Sequence, residues 1–268
     1  MSEGITAIIP AKAMSGRLPH KNTLPYGDSN LLITKIRQLK KVEAIKEIIV
    51  SSEDAEILEM ARSEGVRAIE RPMEFSLETK PFQEFLYYIV GEASYDHVMW
   101  ACCTSPLVDE KIYKKGCELY YKKLEEGYDS LITVMEYHHY LLDADMKPYT
   151  FKWGPEHRNS QDLDKLYFFT DGIQLAPKES MREWKYYFGH RPYGMEVDLK
   201  ISTDVDTIYD YLLARIQYFL DEDIMRKRNV DIREGGEVFN YLVKEMFLSL
   251  DNDIQTEIIN SIPIRKDE

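Results

Sequence analysis

GITAIIPAKAMSGRLPHKN, residues 4–22, opens as a strand and closes as a loop of cations. Residues 4–10 are short, apolar and β-branched and end in proline, the pattern of a buried strand. The following loop holds Gly16 and three basic side chains, Lys12, Arg17 and Lys21. A strand of an open α/β sheet that runs straight into such a loop delivers it to the strand's carboxyl end, where binding crevices form. Backbone N–H groups there can make an anion nest, and the cations can neutralise phosphates. The stretch is neither a Walker A loop nor a G-x-G-x-x-G fingerprint. On residue types alone, a solvated basic loop reads equally well.

Outward from this stretch, short apolar runs alternate with longer amphipathic ones. The spacing predicts helices over residues 30–41, 54–65, 82–90 and 110–124, and strands over 47–51, 97–102 and 129–136. Asp54 is placed to cap the second helix and Gly65 to end it. This rhythm implies right-handed βαβ crossovers, hence an α/β, Rossmann-like, mostly parallel sheet with helices on both faces. From Tyr137 to residue 165 the rhythm breaks into His, Tyr, Pro and charge without a period, as functional or partner-ordered loops do. It returns at 172–176 and in a strong helix over 207–219. We therefore expect a main domain over 1–220, with a dimerisation and acceptor-site insertion at 137–190, and a C-terminal helical extension over 221–268.

Composition limits the classes of function. The 268 residues carry 34 Lys+Arg against 47 Asp+Glu, a net charge of −13, the wrong sign for a general nucleic-acid binder. With 44% hydrophobic and 12% aromatic residues, the chain is built to bury a core. No apolar run reaches the roughly 20 residues that span a bilayer, so no membrane is expected. The N-terminus lacks a cleavable leader pattern, and three cysteines make no disulfide framework. The expected location is the cytoplasm.

STDVDTIYD, residues 202–210, puts Asp204 and Asp206 on one side of an extended segment, where two carboxylates suit a hard cation such as Mg²⁺ (or Mn²⁺). The spacing recurs at Asp143/Asp145, Asp162/Asp164, Asp221/Asp223 and Asp251/Asp253. Position alone allows Asp206 or Thr207 to be no more than a helix cap. His138 and His139 are adjacent and no H-E-x-x-H occurs, which argues against zinc. No G-x-S-x-G elbow supports a serine hydrolase.

Taken together, these blocks resemble the acylneuraminate (CMP-sialic acid) cytidylyltransferase family. IIPAKAMSGRLPHKN is similar to its I-P-A-R-x-x-S-x-x-L-P-x-K-N signature. IIVSSEDAEILEMARSEGV resembles its V-S-T-D strand and helix, and ERPMEFSLET its R-P-x-E-L segment. CCTSPLV resembles P-T-S-P-L-R, and STDVDTIYDYLLA resembles S-I-D-I-D-T-x-x-D-F-x-x-A. The blocks run in the family's order from residue 8 to residue 214.

The resemblance implies a fold of the nucleotide-diphospho-sugar transferase type and transfer of CMP from CTP to a small sugar acid, with pyrophosphate released. It implies that Lys12, Arg17, Lys21, Asp204 and Asp206 are catalytic, and that Asp204 and Asp206 hold the metal. Lys12, Arg17, Lys21, Asn22, Arg71 and Thr79 would bind nucleotide. Cys102, Thr104, Phe169 and Asp171 would meet the acceptor, and a homodimer would share its sites. The departures gather on the acceptor side. Cys102 and Cys103 replace Gln and Pro, Phe169 replaces an arginine, and a lysine is missing around 140–143. Lys12 keeps the charge of the family's arginine without its fork. Two alternatives stay open: a cytidylyltransferase for a non-sialic acceptor such as another sugar or a phosphonate, and a nucleotide-binding homologue without activity.

Overall fold

The computed structural model describes residues 4–13, 16–77, 80–230, 235–245, 250, 252 and 254–256. β1 (Ile5–Pro10) is followed by a small hairpin, β2 (Pro25–Tyr26) and β3 (Ser29–Asn30), then α1 (Leu31–Lys40), β4 (Ile45–Ser52), α2 (Ala55–Ser63) and β5 (Arg67–Glu70). Next come α3 (Phe82–Gly91), β6 (His97–Trp100), α4 (Glu110–Glu125) and β7 (Ser130–Tyr137). The chain continues with β8 (Leu166–Pro177), α5 (Lys178–Trp184), β9 (Pro192–Glu196), α6 (Ile208–Phe219), α7 (Glu222–Lys227) and α8 (Gly235–Val243).

Local chemistry sets the helix starts. Asn30, Asp54 and Asp109 each accept hydrogen bonds from backbone N–H groups in the first turns of α1, α2 and α4. Gly65 ends α2 with φ of +68°, a conformation a side chain disfavours. The predicted elements match these within a few residues at their ends.

Seven strands form one sheet in the order β5-β4-β1-β6-β8-β7-β9. β1 is parallel to β4 and β6, and β7 is parallel to β9, whereas β8 runs antiparallel to both neighbours. Flanked on both sides and covered on both faces, as central strands of such sheets are, β1 is apolar apart from Thr6, whose hydroxyl donates to Glu47. One core joins α1, α2, α4 and α6 to a face of the sheet through Ile36, Ile57, Tyr113 and Tyr211. The other core packs Phe85, Ile89 and Met181, from α3 and α5, on Ile8, Val98 and Trp100.

Sequence reading did not find β5, β9, α5 or the hairpin. β5 and β9 are short edge strands whose residues are largely half-exposed, so they lack an apolar run. The expected insertion at 137–190 is interrupted by the sheet. Residues 166–177 form β8, between β6 and β7, while 138–165, with the isolated bridge Leu142–Pro148, and 178–191, with α5, lie outside it. In the extension, Met225 and Tyr241 pack on Phe219, and Arg228 pairs with Asp28 and Glu245. Asp251 and Asp253 lie outside the described residues. Among the described residues no helix is long and apolar enough to cross a membrane.

Candidate active site

Strand order reverses between β1 and β6, so their carboxyl ends open a crevice at a topological switch point. The basic loop leaves β1 there, and CCTSPLV leaves β6. A third segment, leading into α6, joins them because the Val205 N–H donates to the Thr104 carbonyl at 2.8 Å.

Capping at α6 decides the status of the D-x-D pair. Thr207 accepts from the Asp210 N–H, and the Asp210 carboxylate accepts from the Thr207 N–H. This reciprocal box satisfies the helix start without the Asp206 side chain. The Asp206 carboxylate instead meets Lys21 Nζ at 2.9 Å and an Arg17 guanidinium nitrogen at 2.8 Å. Lys21 is mostly shielded, whereas the Arg17 side chain is 67% exposed. Asp204 lies deeper. Burial pushes its carboxyl up to about 6, against a hydrogen bond from Thr104, while Asp171 and Asp206 add repulsion and Lys21 opposes it. Its Oδ1 is buried and has no hydrogen-bond partner.

An orphaned buried carboxylate oxygen beside a second carboxylate fits Mg²⁺, which takes one or two protein carboxylates and completes its shell with phosphate oxygens and water. Among the described residues no group of three or more His, Cys, Asp or Glu forms a metal cage. A cation held by Asp204 and Asp206 would therefore complete its shell with water or phosphate oxygens.

Asp171 reaches this cluster through a bulge. In the β7–β8 pairing Ile132 faces Gln174 and Val134 faces Phe169, so residues 170–173 crowd opposite Thr133 alone. Thr133 Oγ1 accepts from Thr170 Oγ1 at 2.7 Å and from the Ile173 N–H at 2.9 Å. Bulges of this kind re-aim side chains beside active sites. Burial raises the Asp171 carboxyl, with Asp206 adding and Lys21 opposing. Cys102 also feels Asp171 and Asp204, and its thiol is pushed well up, mainly by burial. Tyr187 meets Trp100 edge-on and Phe82 at a tilt, and its hydroxyl is raised mainly by burial, with Cys102 and Asp171 adding. Phe169 packs edge-on against Phe188 instead, and no contact ties it to the carboxylates.

On the other side of the crevice, Asn22 donates to the Lys12 carbonyl at 2.7 Å and accepts from the Cys103 thiol at 3.0 Å. Lys12 and Asn22 line a small cavity with His20 and Asp54. Arg71, 5% exposed, donates to the Ser51 carbonyl at 2.8 Å and lies 4.1 Å over the Phe85 ring. Burial pulls its guanidinium down to about 10, with Glu53 opposing. Thr79 lies outside the described residues. Sequence reading missed Glu53, which accepts from the Ala13 N–H at 2.9 Å and from Ser76 Oγ at 2.8 Å. It ties the basic loop to the segment after Arg71. Its place just beyond the carboxyl end of β4 was the available signal.

A family model described as Cytidylyltransferase matches residues 6–150. Pseudaminic acid cytidylyltransferase of Campylobacter jejuni is 25% identical over 227 residues, 81% of this chain and 97% of its own length. N-acylneuraminate cytidylyltransferase of Escherichia coli O18:K1:H7 is 25% identical over 222 residues, 80% of this chain and 52% of its own. A solved CMP:2-keto-3-deoxy-manno-octonic acid synthetase complexed with CTP aligns with a TM-score of 0.57 over 82% of this chain and 99% of that one. At 13% identity it bears on the fold alone.

Proposed function

The chain belongs to the cytidylyltransferase family, and on that premise we propose that it transfers CMP from CTP to a hydroxyl of an acylneuraminate-like sugar acid, releasing pyrophosphate. The observation that carries this reading is the meeting of Lys21 and Arg17 on Asp206, beside the orphaned Asp204 oxygen, at the switch point.

The acceptor oxygen attacks the α-phosphorus. A new P–O bond forms as the bond to the β-phosphate oxygen breaks, and pyrophosphate leaves with the electron pair. In such transfers a protein mainly positions groups and neutralises charge. In this reading Lys12, Lys21 and Arg17 bind the triphosphate, and Arg17, being the most exposed of the salt-bridged pair, swings from Asp206 to the leaving group. Asp204 and Asp206 hold Mg²⁺ (or Mn²⁺), whose chemistry in that position is polarisation of the α-phosphate. Asp171, with its carboxyl raised by burial, takes the proton of the attacking hydroxyl. Asn22 orients the loop, and Glu53 holds the two nucleotide-side segments together.

Cys102, Cys103 and Phe169, standing where sialic acid enzymes carry Gln, Pro and Arg, favour an acceptor other than sialic acid itself. We also propose a cytoplasmic homodimer formed through the 138–165 excursion, where Met146, Tyr149 and Trp153 stand 71%, 70% and 80% exposed. Large apolar groups left in water mark interaction surfaces.

Pyrophosphate release on adding CTP, Mg²⁺ and a panel of sugar acids and phosphonates tests the reading, with calorimetry across the nucleoside triphosphates beside it. CTP is expected to bind tightest. Tighter binding of ATP or UTP, or no pyrophosphate with any acceptor, overturns it.

A further inference from the structure

We infer that Lys35, on the buried face of α1, is a positioning residue for Asp204 and acts through the loop that follows β6. The inference rests on the reading that Asp204 serves the reacting phosphate. α1 buries Leu31, Leu32, Lys35, Ile36 and Leu39, so a lysine occupies a position the helix pattern assigns to an apolar side chain. Lys35 is 0% exposed. Its ammonium donates to the carbonyls of Ser105 and Val108 and to Tyr113 Oη, each at 2.9 Å, and lies 4.7 Å over the Tyr113 ring. One turn along, Gln38 Nε2 donates to the Pro106 carbonyl at 2.8 Å. Among the described residues no carboxylate forms a salt bridge with Lys35.

The need for these donors follows from the loop's own chemistry. Pro106 has no N–H to give; of the turn's three inward carbonyls, that of Ser105 also takes the Val108 N–H at 3.3 Å, while those of Pro106 and Val108 take Gln38 and Lys35. Burial pulls this ammonium down to about 7, and a charge buried at such cost is sustained by giving each of its protons an acceptor. The same loop grips the site on its other side. The Thr104 carbonyl holds the Val205 N–H at 2.8 Å, at the residue next to Asp204. Cys103 holds Asn22. Lys35 therefore fixes from below the segment whose upper surface sets Asp204, and partners at one remove from a reacting group govern rate by fixing its place.

The test compares Lys35→Met, which keeps the stem and removes the donors, with Lys35→Gln, which keeps two N–H donors. In Lys35→Met, kcat is expected to fall about tenfold to a hundredfold with KM for CTP changed less than about threefold. Lys35→Gln should fall between Met and wild type. Hydrogen exchange at the Val205 amide reads the loop with no substrate present. It should rise about tenfold or more in Lys35→Met while amides of β1 and β4 keep their protection. Unchanged kcat, equal behaviour of the Met and Gln variants, or unchanged Val205 exchange overturns the proposal. A wild-type protein inactive with every acceptor sinks the functional reading alone, since Val205 exchange still judges Lys35. Should Lys35→Met not fold, Gln38→Leu removes only the Pro106 bond, and the same pattern at smaller amplitude is expected. No change in either kcat or Val205 exchange would then refute the proposal.

Discussion

Asp206 is free for chemistry because its neighbours do the capping. In the sequence it competes with Thr207 for the start of α6, and only the Thr207–Asp210 box releases it to meet Lys21 and Arg17. Asp206→Asn should lower turnover by about 10²–10³, the usual cost of removing one group that stabilises a transition state electrostatically. Circular dichroism and thermal melting should stay near wild type, because the helix cap is untouched. A variant with more than about a tenth of wild-type turnover would mean that Asp206 only tethers the basic loop. The cations Lys12, Arg17 and Lys21 and the D-x-D pair were legible from residue type and order. Glu53 and Lys35 were not, because a lone acid after a strand and a lysine among leucines carry no pattern until distant carbonyls and N–H groups are brought to them.

At the scale of elements, the β8 bulge connects backbone geometry to the placement of Asp171. Gly172 sits where a Cβ would come within 2.8 Å of Thr133 Oγ1 and 3.2 Å of a Val108 methyl. The bulge closes on Thr133 only because that side chain is missing. Gly172→Ala should destabilise the protein by about 1–3 kcal/mol, the range for overpacking a filled site. The shift also displaces Asp171, so kcat should fall and KM for the acceptor rise while CTP affinity stays within a few-fold. Urea unfolding and steady-state kinetics check the two halves, and a fully active variant of unchanged stability would refute the account. Apart from β5 and the hairpin, the strands and helices of the first half were readable because each buries a continuous face. The bulge was not, since TDG in sequence fits a turn as well as a strand.

For the whole molecule, the exposed excursion at 138–165 is the outstanding feature. Tyr140 stacks on His157 and meets Phe151 edge-on, so the segment has an aromatic kernel of its own while Tyr149 and Trp153 face outward. Sedimentation at micromolar concentration should give a dimer for the wild type. Trp153→Ala should shift it toward monomer, losing about 2 kcal/mol or more of association energy if this residue is an interface anchor. A wild-type monomer refutes the dimer.

What the sequence determined by itself was the α/β class, the basic loop at the first strand's end and the family-like order of blocks. These depend on local periodicity and on residues close together in the chain. Tertiary structure alone decided that Asp206 meets both Lys21 and Arg17, that β8 runs antiparallel, and that Asp171 joins the carboxylates. Each of these depends on groups far apart in sequence, such as Lys21 with Asp206 or Thr133 with Ile173, and on whether burial leaves a polar atom with a partner. Spacing along a chain carries no record of that.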